Sequence, residues 1–203
     1  MKKLVIVFLC LTVMFSLISC FTTTPKVMIT DEDFHRIALD SKDSTTSDKW
    51  SLKYYVDKFG DATDEAFIYG MFTGTFSNSA TNNSDLYVKI LVEENRVGIE
   101  FIEYRMGNNS QNFDKDYYTL SIKGSDGVVV SVKMKAISTS LSNKLKIRLI
   151  AVEEDGLTLF KYLCSGELFK GQLNGDYSSS YIFTVDPTGL PEMYKKLVRQ
   201  ENN

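Results

Sequence analysis

The sequence predicts a mainly β protein, an antiparallel two-sheet sandwich, with a closed barrel as the alternative architecture. Three observations carry that expectation. From Trp50 almost to the C-terminus, apolar residues alternate with polar ones, the period of half-buried strands. The alternating runs are parted by Glu94-Asn95, Ser125-Asp126-Gly127 and Asn174-Gly175-Asp176, whose Asn, Asp and Gly accept the backbone angles that tight hairpin turns demand. Helical spacing, by contrast, is concentrated near 156–165 and at the C-terminal end.

The chain opens with Lys2-Lys3 and an apolar run from Leu4 to Ile18, the pattern of an export signal. As a helix that run rises about 22 Å, short of the roughly 30 Å hydrocarbon core of a bilayer, so a cleaved signal fits better than a membrane span. Leu17-Ile18-Ser19-Cys20 resembles the bacterial lipobox, in which small and branched residues precede a cysteine that becomes lipidated and N-terminal. Residues 1–19 are then the lipoprotein signal peptide and Cys20 the lipid attachment residue. Two or three acyl chains make release negligible where one does not, so the expected partner is a membrane, reached through lipid on Cys20, and the expected location is the cell envelope. Phe21 follows the cysteine; in the enterobacterial rule an Asp there retains a lipoprotein at the inner membrane. By that analogy a cell with two membranes places this chain at the outer one.

Residues 20–49 turn to Thr, Ser, Asp and Lys. So few apolar groups cannot offset the entropy of ordering, and the stretch reads as the lipidated N-terminus and a flexible polar tether. A short helix fits its middle, with Asp31 as cap and Phe34, Ile37 and Ala38 at helical spacing. The only histidine, His35, lies there without the partners that a base or ligand would need.

Residues 50–203 form the expected β-rich globular domain. Leu52, Tyr54 and Val56 share one face of a first strand, and the aromatic-rich stretch Phe67 to Phe76 makes a second. Leu86, Val88, Ile90 and Val92 line a third, and after the turn Val97, Ile99 and Phe101 resume the alternation. A Gly107–Ser110 loop leads to Tyr118, Leu120 and Ile122; Val128, Val130, Val132 and Met134 follow, then Leu145, Ile147, Leu149 and Ala151. Asp155 is placed to cap a helix carrying Leu157, Phe160 and Cys164, which Gly166 can stop. Two strands, Leu168 to Leu173 and Ser180 to Val185, precede a last helix with Leu190, Met193, Tyr194, Leu197 and Val198 on one stripe, packed on the β domain. Pro191 suits its first turn. Some eight or nine strands of this kind manage their exposed edges best as a sandwich or barrel.

Tyr54-Tyr55-Val56-Asp57-Lys58-Phe59-Gly60-Asp61, Gly74 to Thr81 and Phe101-Ile102-Glu103-Tyr104 resemble segments of uncharacterised bacterial lipoproteins with the same order of signal, tether and β-rich domain. The resemblance covers about the first third of the domain. It implies lipidation and export, and it brings no catalytic or binding residues.

Hydrophobic residues make up 43% of the chain and charged ones 24%, an ordinary globular composition rather than a disordered, collagenous or multi-span one. The net charge of −3 becomes more negative if Lys2 and Lys3 leave with the signal. Lys and Arg do not cluster along the sequence, which argues against nucleic acid and against an electrostatic grip on anionic lipid. Cys10 falls in the signal, leaving Cys164 as the one free thiol of the lipidated chain, expected to be a small buried apolar residue.

A serine or cysteine nucleophile needs a base, and the lone histidine lies in the tether. No Gly-rich phosphate loop, zinc spacing or G-x-S-x-G is present, so neither a catalytic residue nor a cofactor is assigned. Carboxylate pairs remain open to glycan hydrolysis by type, with Glu93, Glu94, Glu100, Glu103, Glu153, Glu154 and Asp155 available. Asn112 to Asp116 begins like a calcium loop, but Tyr117 stands where Gly is required and Lys123 where a bidentate Glu is. Asp57, Asp61, Asp64 and Glu65 gather around the Phe59-Gly60 turn and are the candidate cation-binding group, read otherwise as a solvated, capped turn.

The Ser77–Ser84 loop is rich in Ser, Asn and Thr. Trp50, Asn78, Asn82 and Asn83 are the candidate ligand surface, an aromatic and amide patch for sugar or peptide. The expectation is a lipid-anchored, non-catalytic binding or interaction module with an envelope protein or glycan as partner. The alternatives are a structural subunit of an envelope assembly and, behind it, a carboxylate-based glycan hydrolase.

Overall fold

The computed structural model describes residues 30–40, 49–104, 108–109, 113–141 and 144–201. The expected signal, Cys20 and residues 41–48 of the expected tether lie outside them. Ten strands are present: β1 (Trp50–Val56), β2 (Ala62–Ser77), β3 (Ser84–Val92), β4 (Val97–Glu103), β5 (Asn108–Asn109), β6 (Tyr117–Lys123), β7 (Val129–Leu141), β8 (Lys144–Ala151), β9 (Phe169–Asn174) and β10 (Ser180–Val185). Among the described residues three helices accompany them: α1 (Asp31–Asp40), α2 (Glu154–Cys164) and α3 (Leu190–Glu201).

The strands make one closed antiparallel barrel rather than the expected two-sheet sandwich. The ring runs β2-β10-β9-β6-β7-β8-β4-β3 and returns to β2, with β1 outside it. Closure rests on β2, which spans 16 residues. One edge bonds β3 from Ile68 to Phe76, while the other is shared by β1 from Ala62 to Gly70 and β10 from Gly74 to Ser77. Where β10 replaces β1, Gly74 leaves the space that the crossing requires: a Cβ there would stand 2.2 Å from the Ile182 carbonyl oxygen. Gly171, the register partner of Phe183, lies beneath the Phe183 ring in the same way.

Inward-facing residues fill the barrel. Ile68, Phe72, Phe76, Leu86, Val88, Ile90, Val92, Val97, Ile99 and Phe101 are all buried on β2, β3 and β4, and Leu120, Ile122, Val132, Met134, Leu173, Tyr181 and Phe183 complete the lining. Eight strands enclose just enough room for side chains. The middle is aromatic, with the Tyr181 ring 4.7 Å from Phe101 and 5.5 Å from Phe113, between centroids. Outward positions on β6, β7 and β9 are mostly Thr, Ser, Lys, Gln and Asn, with Tyr117 and Val129 among them, unlike the continuous apolar band of a lipid-embedded barrel.

The helices gather at the barrel end marked by the β3–β4 turn, where the Tyr194 hydroxyl donates to the Glu94 carbonyl. Phe160 of α2 stands between Phe34 of α1 and Tyr194 of α3, at 5.0 and 4.8 Å between ring centroids. The folded body therefore reaches back past the expected boundary at Trp50. Phe34 and Ala38, read as part of a tether, are buried in the core, because an amphipathic stripe too small to fold alone finds the apolar backs of two other helices. The α1 cap is Thr30 rather than Asp31: its N–H and hydroxyl both donate to the Asp33 carboxylate, at 2.9 and 3.1 Å.

Two further expectations shift. Asp155 does not cap α2; Glu153 occupies the N-cap at φ 50° without a side-chain cap bond, and an Asp155 oxygen instead accepts the Lys133 N–H. Strand β2 starts at Ala62, earlier than the alternation suggests. Its first half pairs with β1 outside the barrel, where Ala62, Asp64 and Glu65 are exposed and polar residues cost nothing.

Candidate functional site

The cation group is not assembled. In the β1–β2 turn an Asp57 oxygen accepts the N–H groups of Phe59 and Asp61, which spends it on the backbone. Asp64 and Glu65 are neighbours on β2 and so point to opposite faces. Among the described residues no three His, Cys, Asp or Glu side chains gather where they could hold a metal ion.

The ligand surface is divided as well. Trp50 is buried against Phe72, 5.1 Å between rings, and pairs with Gly70; Asn78 follows the far end of the same β2. Seven strand residues separate Gly70 from Ser77, about 23 Å. The amides also serve their own loop. Asn78 accepts from the N–H groups of Ala80 and Thr81, Asn82 accepts from the Ser77 hydroxyl, and Asn83 sits at φ 52°.

Two outer faces of the barrel carry organised polar groups instead. On β3, β4 and β8, Arg148 Nε donates to Glu100 at 2.9 Å while its Nη1 lies 3.4 Å from Glu93. Arg96 also meets Glu93, Lys89 lies 3.7 Å from Glu100, and the Tyr55 hydroxyl donates to Glu93 at 2.6 Å. Glu100 is only 4% exposed. Burial, with Glu93 second, raises the Tyr55 pKa. Burial alone would lower that of Arg148, but the bond and charge of Glu100 outweigh it and the value rises. Both carboxylates thus share the Arg148 guanidinium, beside their own second cations, and this ties β8 to β4 and to the β3–β4 turn. Of the other carboxylates, Glu103 accepts from the Tyr181 hydroxyl at 2.8 Å.

The second face covers β9, β6 and β7. Here a cleft of about 470 Å³ is lined by Lys115, Tyr117, Tyr118, Thr119, Ser121, Gln172 and Asn174. Alternation on β6 turns Tyr117, Thr119 and Ser121 outward while Tyr118, Leu120 and Ile122 enter the core; β9 turns Gln172 and Asn174 the same way. The register sets Ser121 opposite Gln172. One rim is held by the β9–β10 turn, where Asp176 accepts from the Asp114 N–H at 2.7 Å and the Tyr118 hydroxyl, and pairs with Lys115 at 2.8 Å. The Tyr177 hydroxyl donates to Asp114. Lys115 first and then Tyr118 hold the Asp176 carboxyl down at about 2, whereas burial and this carboxylate push the Tyr118 phenol far up. At the opposite rim Lys133 lies 4.2 Å above the Tyr117 ring.

Tyr117, Gln172 and Asn174 were not singled out by the sequence, although the signal was present: they are the polar half of two alternating strands. What the sequence hides is that β6 and β9 are neighbours. Cys164 is buried as expected, and desolvation pushes its thiol up to about 12, which leaves it inert. No helix among the described residues is long and apolar enough to cross a membrane.

Compared with protein-family models, with curated proteins and with solved structures, the chain matches none. The class that its fold defines is a closed eight-stranded antiparallel barrel with an outer strand and a cap of helices at one end.

Proposed function

We propose that this chain is a non-catalytic binding module, held at the cell envelope through lipid on Cys20, whose ligand is a glycan seated in the cleft between β6 and β9. The observation that carries this reading is the chemistry of that lining. Gln172 and Asn174 each offer donors and an acceptor, Thr119 and Ser121 offer hydroxyls that do both, and Tyr117 adds an exposed ring. Sugar hydroxyls also donate and accept, so such a wall satisfies them without demanding charge. The barrel behind it is rigid and filled, so the wall is preformed.

The anchor rests on Lys2-Lys3, the apolar run to Ile18 and Leu17-Ile18-Ser19-Cys20, with Phe21 favouring the outer membrane of a two-membrane cell. Lipid labelling in a bacterial host should vanish in Cys20→Ala, with unprocessed or released protein; persistent labelling and membrane retention would sink the anchor. For the cleft, the purified chain should be retained by immobilised glycans, and Tyr117→Ala with Gln172→Ala should weaken retention by about tenfold, one 1.4 kcal/mol step. Equal retention by the variant would place the ligand elsewhere.

One observation favours a second reading, a structural subunit of an envelope assembly: Val128, Val129 and Leu168 are 52%, 60% and 58% exposed. Val129 opens β7, Val128 just precedes it and Leu168 precedes β9, and all three lie toward the helical end. Covered apolar groups there, in a complex purified from envelopes, would support it over the glycan reading.

A further inference from the structure

We infer that the glycan is an acidic one, an extended polyanionic chain laid across the outer face of β9, β6 and β7. The inference rests on the cleft reading above and adds its charge and its direction. Lys123 and Lys170 occupy directly opposed register positions on β6 and β9. Lys133 and Lys135 stand two residues apart on β7, both exposed on the outer side. Val129 is the register partner of Lys123, and four residues of β7 separate Val129 from Lys133, so the two lysine pairs lie about 13 Å apart along the sheet. Between them lie Ser121 and Gln172, part of the neutral cleft wall.

This arrangement works against itself in the free protein. Like charges directly opposite on neighbouring strands repel and destabilise the pairing. Among the described residues none of the four lysines has a carboxylate within ion-pair reach, whereas Lys49, Lys89, Arg96, Lys115, Arg148 and Lys195 all do. Most carboxylates bordering this region serve elsewhere: Asp155 takes the Lys133 backbone N–H, Asp126 takes that of Val128, Glu167 takes the Ser125 hydroxyl, and Asp176 holds the β9–β10 turn. Exposed Asp116, just before β6, stands off the strand positions. In a chain of net charge −3, a face with four unpaired cations and no acid at its strand positions is complementary to an anion. Two pairs flanking a neutral, hydroxyl- and amide-lined cleft fit a polymer with spaced charges joined by sugar rings. A flat anionic bilayer would meet the convex barrel only along a line. A nucleic acid would need several open rings for its bases. The strands of this face carry Tyr117 alone, with Lys133 over one side of its ring, and the only other exposed ring nearby among the described residues is Tyr177 on the rim.

The test compares polygalacturonate with fully methyl-esterified pectin, the same backbone without its charge, by calorimetric titration of the purified chain. Polygalacturonate should bind, with log affinity falling linearly as log salt rises. Lys123→Ala with Lys170→Ala should weaken it at least about tenfold and flatten the salt slope. Lys161→Ala, on the exposed side of α2, should change nothing, and no variant should melt below the parent. Equal binding of the esterified polymer would overturn the acidic inference while leaving the cleft reading standing; binding of neither polymer would overturn both. Tighter binding to phosphatidylglycerol vesicles or to an oligothymidylate, lost in the same lysine variant, would also overturn it by assigning the face to a different partner.

Discussion

The outer faces over β3–β4–β8 and over β9–β6–β7 are both polar and both built from alternate residues of neighbouring strands, yet they handle charge in opposite ways. On the first, Arg148 serves Glu93 and Glu100 together, Lys89, Arg96 and Tyr55 complete the set, and Glu100 is almost wholly covered. On the second, four lysines are exposed and, among the described residues, none has a carboxylate within ion-pair reach. A satisfied network spends its charges on holding strands in register. An unsatisfied one leaves them available. On the proposed reading, this difference in pairing tells structural charge from recognition better than residue type does, since Glu and Arg on the first face look as functional in the sequence as Lys does on the second.

The largest expected effect lies in the satisfied network. Arg148→Met keeps the aliphatic contact over Gly98, where a Cβ would meet the Arg148 chain at 3.0 Å, but strands Glu93 and Glu100 without their shared cation. Removing one partner of a covered ion pair costs about 3–5 kcal/mol. Urea unfolding should show a loss of that order, and Arg148→Met with Glu100→Leu should recover much of it, because the uncompensated carboxylate is gone. A loss below about 1 kcal/mol would match a surface pair, and the contrast between the two faces would then fail.

A smaller effect belongs to the rim that joins the two arrangements, the β9–β10 turn, where paired charge borders the cleft. The Asp176 carboxyl is held at about 2 against an ordinary 3.8. Its folded pKa is the lower one, so its contribution is complete above the unfolded value near 4 and is lost as pH falls through that range toward 2. Acid titration of stability should therefore steepen between pH 4 and 2. In Asp176→Asn that steepening should shrink, leaving the share of Asp33 and Asp186, whose carboxyls are also held low, with Tyr118 and Lys115 losing their shared acceptor. An unchanged acid limb would show that the turn is held by its backbone bonds alone.

Much of this fold was legible and one decision was not. The alternation in Leu86, Val88, Ile90 and Val92, and again in Leu120 and Ile122, named core residues correctly, because a strand with one wet face writes its burial into a period of two. The last helix was readable from its stripe for the same reason. Sandwich versus barrel depends on whether β2 bonds β3 and β10 at once, a pairing between residues more than a hundred positions apart, and nothing local encodes it. α1 shows the same limit: the spacing of Phe34 and Ala38 announced a helix, but only α2 and α3, folded at the far end of the chain, give that stripe something to cover. The site followed suit. The sequence offered the Asn-rich loop, whose amides turn out to be spent on the loop itself. Lys123 and Lys170 are scattered in sequence, and pairing of β6 with β9 makes them a cluster.

The smallest expected effect on stability is the sharpest test of the comparison. Replacing Lys123 and Lys170 with Ala removes two exposed side chains that touch no acid and repel each other across the β6–β9 pair. Surface changes of this kind stay within about 0.5 kcal/mol, and relief of the repulsion should make the sign stabilising in low salt, since screening over about 10 Å at 0.1 M already weakens it. The melting midpoint of the double variant should therefore sit at or slightly above that of the parent in dilute buffer, and the two should converge as salt rises. A midpoint that falls instead would mean that the lysines support the barrel as Arg148 does, and the two faces would differ in degree rather than in kind.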